Sequence, residues 1–297
     1  MSAAGIISLD RQVRPSYHNY TNQLIITPDK QFVVRFGYNL RGLPGYGKNH
    51  EILPPPGAVS LFDQEGHWRA NFGFRTFSGI VGLGNQIGAL WGQKLFQLGN
   101  QLVPLPIETS YLHGTPDYTI FGNNSGKFIY RRLVGGRVAS ETEVDRPELV
   151  DWHQGLEWTH HIFHNFAEGL PFSGLLRPMV WACQPRDNGV DSVYRAFKGG
   201  SEITQFNLSE GKAPDVNMVQ LPYPVKVQDM LWHQDALVIL DELATKLILL
   251  YPSGLIVDFV LTDLFPGYVM YNTDSMTSDG DLIYLLSLNR IYKITTN

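Results

Sequence analysis

The chain has 297 residues, of which 43% are apolar and only 17% charged, and its formal net charge is −5. This length allows one large domain or two small ones with a sizeable core. The acidic balance disfavours a general nucleic-acid binder, which needs excess Lys and Arg, and the single cysteine, Cys183, excludes an intramolecular disulfide and a thiolate metal cluster.

The N-terminal segment 1–10 lacks a basic leader and carries only a short apolar stretch, so no secretory signal is expected. Residues 5–9 within it are predicted to form a strand. Such a start matters because the chain also ends on a strand-like run, at 289–294.

A repeated pattern then continues along the chain: a polar turn, usually containing Gly, lies between short runs of apolar, β-branched and aromatic residues. The turn 27–31 precedes the run 32–36, and the turn 63–66 separates the run 58–62 from 67–72. Glycine supplies the positive φ of tight hairpin turns, and the runs have the length of strands. The pattern recurs in the segments 94–105, 123–130, 192–206, 236–260 and 278–294.

One uncharged stretch, residues 76–93, tests the possibility of a membrane span. Its five glycines and its Asn and Gln residues are atypical of a spanning helix. Short strands with tight turns fit it better, so no transmembrane segment is predicted.

Many short strands with turns about every ten residues predict an all-β fold, and a β-propeller fits best. A chain of this length accommodates about six blades of short antiparallel strands, at roughly 40 to 45 residues each. Strands at both ends suit a propeller whose last blade is closed by both termini. The uneven turn spacing leaves another β-sandwich or barrel arrangement open. We expect a single domain, 1–297.

Two long insertions interrupt the pattern, near 37–57 and 145–189, and long loops in compact domains are usually functional. The first contains three consecutive prolines, and the second contains clustered Trp and His residues. The residues that we predict to bind a partner are Arg41, Tyr46, Trp152, Trp158, His160, His161 and His164.

The His cluster also has a metal-binding interpretation. On a helix, His160 and His164 would share a face with Glu157 one turn earlier, a geometry that can hold Zn²⁺. However, His161 stands where a metallopeptidase motif has Glu. Aromatic packing or partner contact is therefore the favoured interpretation, and no cofactor is predicted.

An enzyme remains the alternative. A propeller lactonase would place carboxylate and amide ligands around a central divalent ion, and Asp29, Asp63, Asp241 and Asn272 are available. These residues lie in turns or at strand ends, where such side chains also cap the backbone. A serine hydrolase using Ser173 or Ser192 would lack the Gly-x-Ser-x-Gly motif.

The surface composition favours an interaction protein. Aromatic residues are abundant and charges are few, as in the cores of protein interfaces. So few charges suit a subunit buried in an assembly better than a free monomer.

One motif resembles a pattern found near the start of phage tail nozzle or hub propellers. It comprises the segment 38–45, Tyr-Asn-Leu-Arg-Gly-Leu-Pro-Gly, and the preceding Asn- and Pro-containing segment 22–28. The downstream segments 79–84 and 94–98 are similar to the first blade of those proteins. The resemblance implies a non-enzymatic structural subunit of a virion tail-like assembly. Such a subunit would contact sibling subunits through its loops, form rings or larger assemblies, and reside in the virion. The alternatives are a metal-dependent, lactonase-like propeller hydrolase and a carbohydrate-binding module.

Overall fold

The computed structural model describes most of the chain, and every structural statement below concerns the described residues. These are residues 1–10, 23–27, 29–35, 59–72, 79–83, 86–91, 94–98, 103–108, 111–114, 118–122, 127–134, 137–145, 179–186, 189–197, 199–207, 215–241, 243–268 and 273–296. They form 24 strands and one short helix, α1 (Leu261–Leu264).

The strands are short, between four and nine residues each. In chain order they are β1 (Ser2–Ser8), β2 (Gln23–Ile26), β3 (Phe32–Arg35), β4 (Val59–Phe62), β5 (Trp68–Phe72), β6 (Gly79–Leu83), β7 (Gln86–Trp91), β8 (Lys94–Leu98), β9 (Val103–Glu108), β10 (Tyr111–Gly114), β11 (Tyr118–Gly122), β12 (Lys127–Val134), β13 (Arg137–Asp145), β14 (Met179–Arg186), β15 (Gly189–Phe197), β16 (Ile203–Asn207), β17 (Asp215–Met218), β18 (Val227–His233), β19 (Ala236–Asp241), β20 (Lys246–Leu250), β21 (Ile256–Val260), β22 (Thr273–Ser278), β23 (Leu282–Ser287) and β24 (Arg290–Thr295).

These strands form six four-stranded antiparallel sheets. Five sheets are meanders of consecutive strands: β2–β5, β6–β9, β10–β13, β14–β17 and β18–β21, here called blades 1 to 5. Blade 6 has the order β22, β23, β24, β1. The all-β propeller with about six blades, predicted from the sequence, is confirmed.

The hairpin turns follow the local chemistry that the sequence indicates. At the turn between β20 and β21, the Gly254 N–H donates to the Tyr251 carbonyl at 2.9 Å, and the Tyr251 N–H donates to the Leu255 carbonyl at 3.0 Å. Gly254 has φ +83°, a conformation that Gly adopts without steric cost. The turn therefore reverses the chain within a few residues.

The core lies between neighbouring blades, because alternate residues of each strand point to opposite faces of its sheet. On β3, Phe32 and Val34 pack in one cluster with Leu286 of blade 6. Val33, which points the other way, packs in a second cluster with Ile80 of blade 2. Strands such as β3 and β19, the second strands of their blades, are therefore apolar on both faces, which explains uninterrupted apolar runs such as Ala236 to Leu240.

The two ends of the chain meet in blade 6. β1 pairs antiparallel with β24, from Ser2 opposite Thr295 to Ser8 opposite Arg290. The N-terminal strand is thus the outermost strand of the last blade. This pairing closes the propeller, as the strand-like runs at both ends of the sequence predict.

Some local predictions need correction. The insertion predicted at 145–189 is too long, because β14 occupies Met179–Arg186 and its apolar run pairs with β15. Between β19 and β20 the chain makes a tight turn in which the Ala244 N–H donates to the Asp241 carbonyl at 2.8 Å. Helix α1 was not predicted. No helix among the described residues is both long and apolar enough to cross a membrane.

Candidate functional site

The first strand of each blade is the innermost one. β2 adjoins β6 and β22, β22 adjoins β18, β18 adjoins β14, and β6 adjoins β10. Polar residues occur where three of these inner strands begin. We call this group the axial site: Gln23 on β2, Gln228 and Asp229 on β18, and Thr273 and Ser275 on β22.

The axial site joins successive blades through one repeated bond. The Met276 N–H donates to Asp229 Oδ2 at 2.7 Å, and the Leu24 N–H donates to Ser275 Oγ at 3.1 Å. The Ile80 N–H donates to the Gln23 side-chain carbonyl at 3.0 Å. In each case a polar side chain near the start of one inner strand accepts from the backbone of the next inner strand. This repetition aligns blades 5, 6, 1 and 2 around the axis.

The amide groups of the axial site make further links between blades. Gln23 Nε2 donates back to the Ile80 carbonyl at 3.0 Å, so this amide bonds both the N–H and the carbonyl of one residue. Gln228 is buried, and its Nε2 donates to the Thr273 carbonyl at 3.1 Å. Both amides therefore have their orientation set by backbone groups.

Two β-bulges lie in this region. The pairing of β18 with β19 shifts register between Val227 and Asp229, and the pairing of β22 with β23 shifts between Thr273 and Ser275. Bulges re-aim side chains and are over-represented next to active sites. They occur here at matching positions of adjacent inner strands.

Asp229 is the carboxylate of the axial site and is partly exposed. The N–H of the following residue, Met230, donates to its Oδ1 at 2.9 Å, while Oδ2 accepts from Met276. Hydrogen bonds to an ionised group are stronger than neutral ones. Asp229 is therefore held in one orientation by backbone from two blades.

An aromatic side chain, Tyr268, lies beside Thr273. Tyr268 is buried, and its hydroxyl shares a short hydrogen bond with Thr273 Oγ1. Burial raises the pKa of Tyr268 well above its ordinary value. This phenol therefore stays neutral at physiological pH and braces the start of β22.

The opposite face of the propeller carries an acidic turn between β4 and β5, the two outer strands of blade 1. Asp63, Glu65 and His67 have potential ligand atoms within 4.8 Å of one another. However, Asp63 Oδ1 accepts from the N–H groups of Glu65 and His67, at 3.1 and 2.8 Å, and Arg69 Nη2 donates to Oδ2 at 2.5 Å. Asp63 thus caps its turn with one oxygen and pairs with a guanidinium through the other. This arrangement makes Asp63 a poor metal ligand.

The pKa of Asp63 is lowered by the same contacts. Burial favours the neutral acid, but the His67 N–H and the Arg69 guanidinium outweigh this and lower the pKa of Asp63 to about 2. The carboxylate is therefore ionised throughout the physiological range.

The metal ligands considered from the sequence are not brought together. Asp29 and Asp63 lie in neighbouring turns of blade 1, where Gln64 Nε2 donates to the Asp29 carbonyl. Asp241 lies in blade 5, where it accepts from the N–H groups of Thr245 and Lys246 at 2.6 and 2.7 Å. Asp63 and Asp241 thus cap turns, the Asp29 carboxylate accepts from the Thr27 hydroxyl, and Asn272 falls outside the described residues.

The predicted partner-binding residues cannot be placed. Arg41, Tyr46, Trp152, Trp158, His160, His161 and His164 all lie outside the described residues. Their role stays a prediction. Ser192, considered as a nucleophile, instead donates to Asn207 Oδ1 at 2.8 Å.

The axial site was not predicted, although the sequence carries a signal for it. Polar pairs precede Met near the start of two inner strands, Gln228-Asp229 before Met230 on β18 and Asp274-Ser275 before Met276 on β22. A polar pair at matching positions of two blades indicates that the same position of the inner strand is polar in both blades.

The six four-stranded sheets define a class, the six-bladed β-propellers, and three solved structures align with nearly the whole chain. No known protein family matches the sequence, and neither does any curated protein. Selenomethionine-substituted virginiamycin B lyase from Staphylococcus aureus aligns with a TM-score of 0.46 at 11% identity, over 99% of each chain. A catalytically inactive variant of that lyase with quinupristin gives 0.45 and 11%, also over 99% of each chain. A streptogramin B lyase gives 0.44 and 10%, over 99% of this chain and 98% of that one.

These comparisons correct two expectations. The resemblance to phage tail nozzle or hub proteins is wrong, because the structural neighbours are lyases. The expectation of a non-enzymatic protein is overturned by the same finding. The TM-scores are below 0.5 and the identities are about a tenth, so the activity of those lyases remains theirs.

Proposed function

We propose that this protein is a propeller enzyme of the hydrolase type that binds a small ester or lactone at the axial site. The observation that carries this proposal is Asp229, a partly exposed carboxylate held by two backbone N–H groups. It lies at the start of an inner strand whose other residues are mostly buried and apolar. Sites of this kind, a few oriented polar groups in apolar surroundings, are typical of small-molecule binding.

The chemistry needs a group that activates water. In ester hydrolysis a water oxygen attacks the acyl carbon, its proton passes to a base, and the alkoxy group leaves with a proton. An ionised carboxylate such as Asp229 can accept that proton or hold a divalent cation that binds the water. Preorganisation by the backbone keeps Asp229 in place without further cost during the reaction.

The test is hydrolysis of a panel of aliphatic esters and lactones by the full chain and by Asp229→Asn. Loss of a general base or a cation ligand typically lowers kcat by about 10²- to 10⁴-fold. Asp63→Asn is the matched control, because Asp63 also accepts backbone N–H groups but lies between the outer strands of blade 1, on the opposite face. Circular dichroism and urea unfolding of both variants establish that they fold.

Metal dependence is tested in the same assay. Elemental analysis and chelator treatment of the wild type and of Asp229→Asn separate a cation site from a metal-free general base. Equal loss of activity in the two variants would count against a site at Asp229, and the absence of hydrolysis across the panel would refute the proposed function.

A further inference from the structure

A buried histidine joins three parts of the propeller at the end of the axis opposite the axial site. His233 ends β18 and is only 3% exposed. Its Nδ1 lies 2.6 Å from Ser278 Oγ at the end of β22, and its Nε2 lies 3.2 Å from Thr296 Oγ1, just after β24. One imidazole therefore connects blade 5, blade 6 and the end of the chain.

The surrounding bonds determine which ring nitrogen carries the proton. Thr296 Oγ1 donates its single proton to Gln234 Oε1 at 3.1 Å, so it must accept from His233 Nε2–H. The neutral ring then has no proton on Nδ1, and Ser278 Oγ–H donates to Nδ1. Each of the three groups has a defined role in the neutral state.

A second proton on the ring breaks this arrangement. Nδ1–H would face Ser278 Oγ, which already accepts from the Gly280 N–H at 3.1 Å. The Ser278 hydroxyl proton would have to turn away from its present acceptor into a buried region. Leaving a buried donor unsatisfied costs about 1–3 kcal/mol.

The nearby charges come from two turns. Asp235 belongs to the turn that follows His233, while Asp279 and Asp281 belong to the turn after β22. All three carboxylates favour a protonated ring. Asp279, however, is already bonded to Lys30 Nζ of blade 1 and accepts from the Tyr284 hydroxyl at 2.7 Å.

We propose that His233 is a pH-sensitive latch, which holds blade 5 to blade 6 and to the end of the chain while its ring is neutral and releases this junction when the ring is protonated. Release would loosen blade 6, which closes the propeller through the pairing of β1 with β24. The proposal rests on the geometry, because both ring nitrogens are hydrogen-bonded to hydroxyl groups of other segments.

Burial lowers the pKa of His233 and outweighs the three carboxylates. As the pH falls below the ordinary His value of about 6.5, the unfolded chain therefore takes up the proton before the folded one does. Stability falls from that pH downward, and the fall levels off below the folded pKa. The unfolding equilibrium constant rises by up to about tenfold per pH unit over this window.

The experiment compares the full-length wild type with His233→Asn, which keeps an acceptor near Ser278 and does not titrate. His233→Gln, which keeps a donor toward Thr296, is the second variant in case the first fails to fold. His67→Asn is the matched control, because the His67 side chain is 64% exposed. Urea unfolding between pH 8 and 5 gives stability, and hydrogen exchange with mass spectrometry locates the change.

We expect amide exchange in residues 273–296 to rise on acidification in the wild type and in His67→Asn, with little change in residues 79–98 of blade 2. The rise should be absent from the non-titrating His233 variants. The same rise in those variants, or an equal rise in blade 2, would overturn the latch.

Discussion

Replacing Gly66 by Ala should loosen the closure of the propeller. Gly66 lies in the turn between β4 and β5 with φ +91°. A Cβ built there would lie 2.4 Å from the Ser8 carbonyl oxygen and 2.8 Å from Ile7 Cγ2. Both contacts are to β1, so the added methyl group would push the N-terminal strand away from blade 1.

The expected loss of unfolding free energy in Gly66→Ala has two parts. A left-handed backbone conformation costs an L-residue roughly 1–2 kcal/mol, and overpacking against a fixed backbone costs about 1–3 kcal/mol. We therefore expect Gly66→Ala to reduce the free energy of unfolding by about 2–5 kcal/mol. Gly254→Ala is the matched control: its φ is +83°, but nothing lies within 4 Å of its Cβ, so only the roughly 1–2 kcal/mol backbone cost applies.

Urea unfolding of the two variants measures the difference, and hydrogen exchange of residues 1–10 shows whether β1 is the segment that loosens. Equal losses of stability in Gly66→Ala and Gly254→Ala would refute the reasoning. So would a larger loss with unchanged exchange in β1.

Two further predictions concern the core and the acidic turn. Leu247 is fully buried between blades 5 and 6, so Leu247→Ala should cost about 2–5 kcal/mol in urea unfolding. Leu255→Ala, at a side chain 57% exposed, should stay within about 0.5 kcal/mol of the wild type. Because the pKa of Asp63 lies near 2 rather than 3.8, its stabilising effect is present above pH 3.8 and is lost as the pH falls through 2. Acid-dependent unfolding should therefore be shallower in Asp63→Asn than in Asp29→Asn, and parallel curves would contradict this.

Local and distant effects combine at Gly66. The turn itself is readable from the sequence, since Gly follows a polar cluster between two strand-like runs. Its contact with Ser8, 58 positions earlier, is not, because that contact exists only after β1 has joined blade 6.

The hydrogen bonds of the axial site could not be read from the sequence for the same reason. Asp229 and Met276 are 47 positions apart, and Leu24 and Ser275 are 251 apart. Each bond depends on the angle at which one blade follows another around the axis. Asp63 and Asp241, which the sequence did single out as ligands, lie in turns, where each accepts from N–H groups two to five residues onward.

The amino-acid sequence by itself determined the short strands, the hairpin turns and the approximate number of blades. Alternation of side chains and positive-φ glycines act within a few residues, so these features can be read locally. Tertiary structure alone decided which polar groups of different blades meet, as at Asp229 and at His233. Those meetings depend on the closure of the ring, which brings the first and last strands together and places distant residues within hydrogen-bond distance.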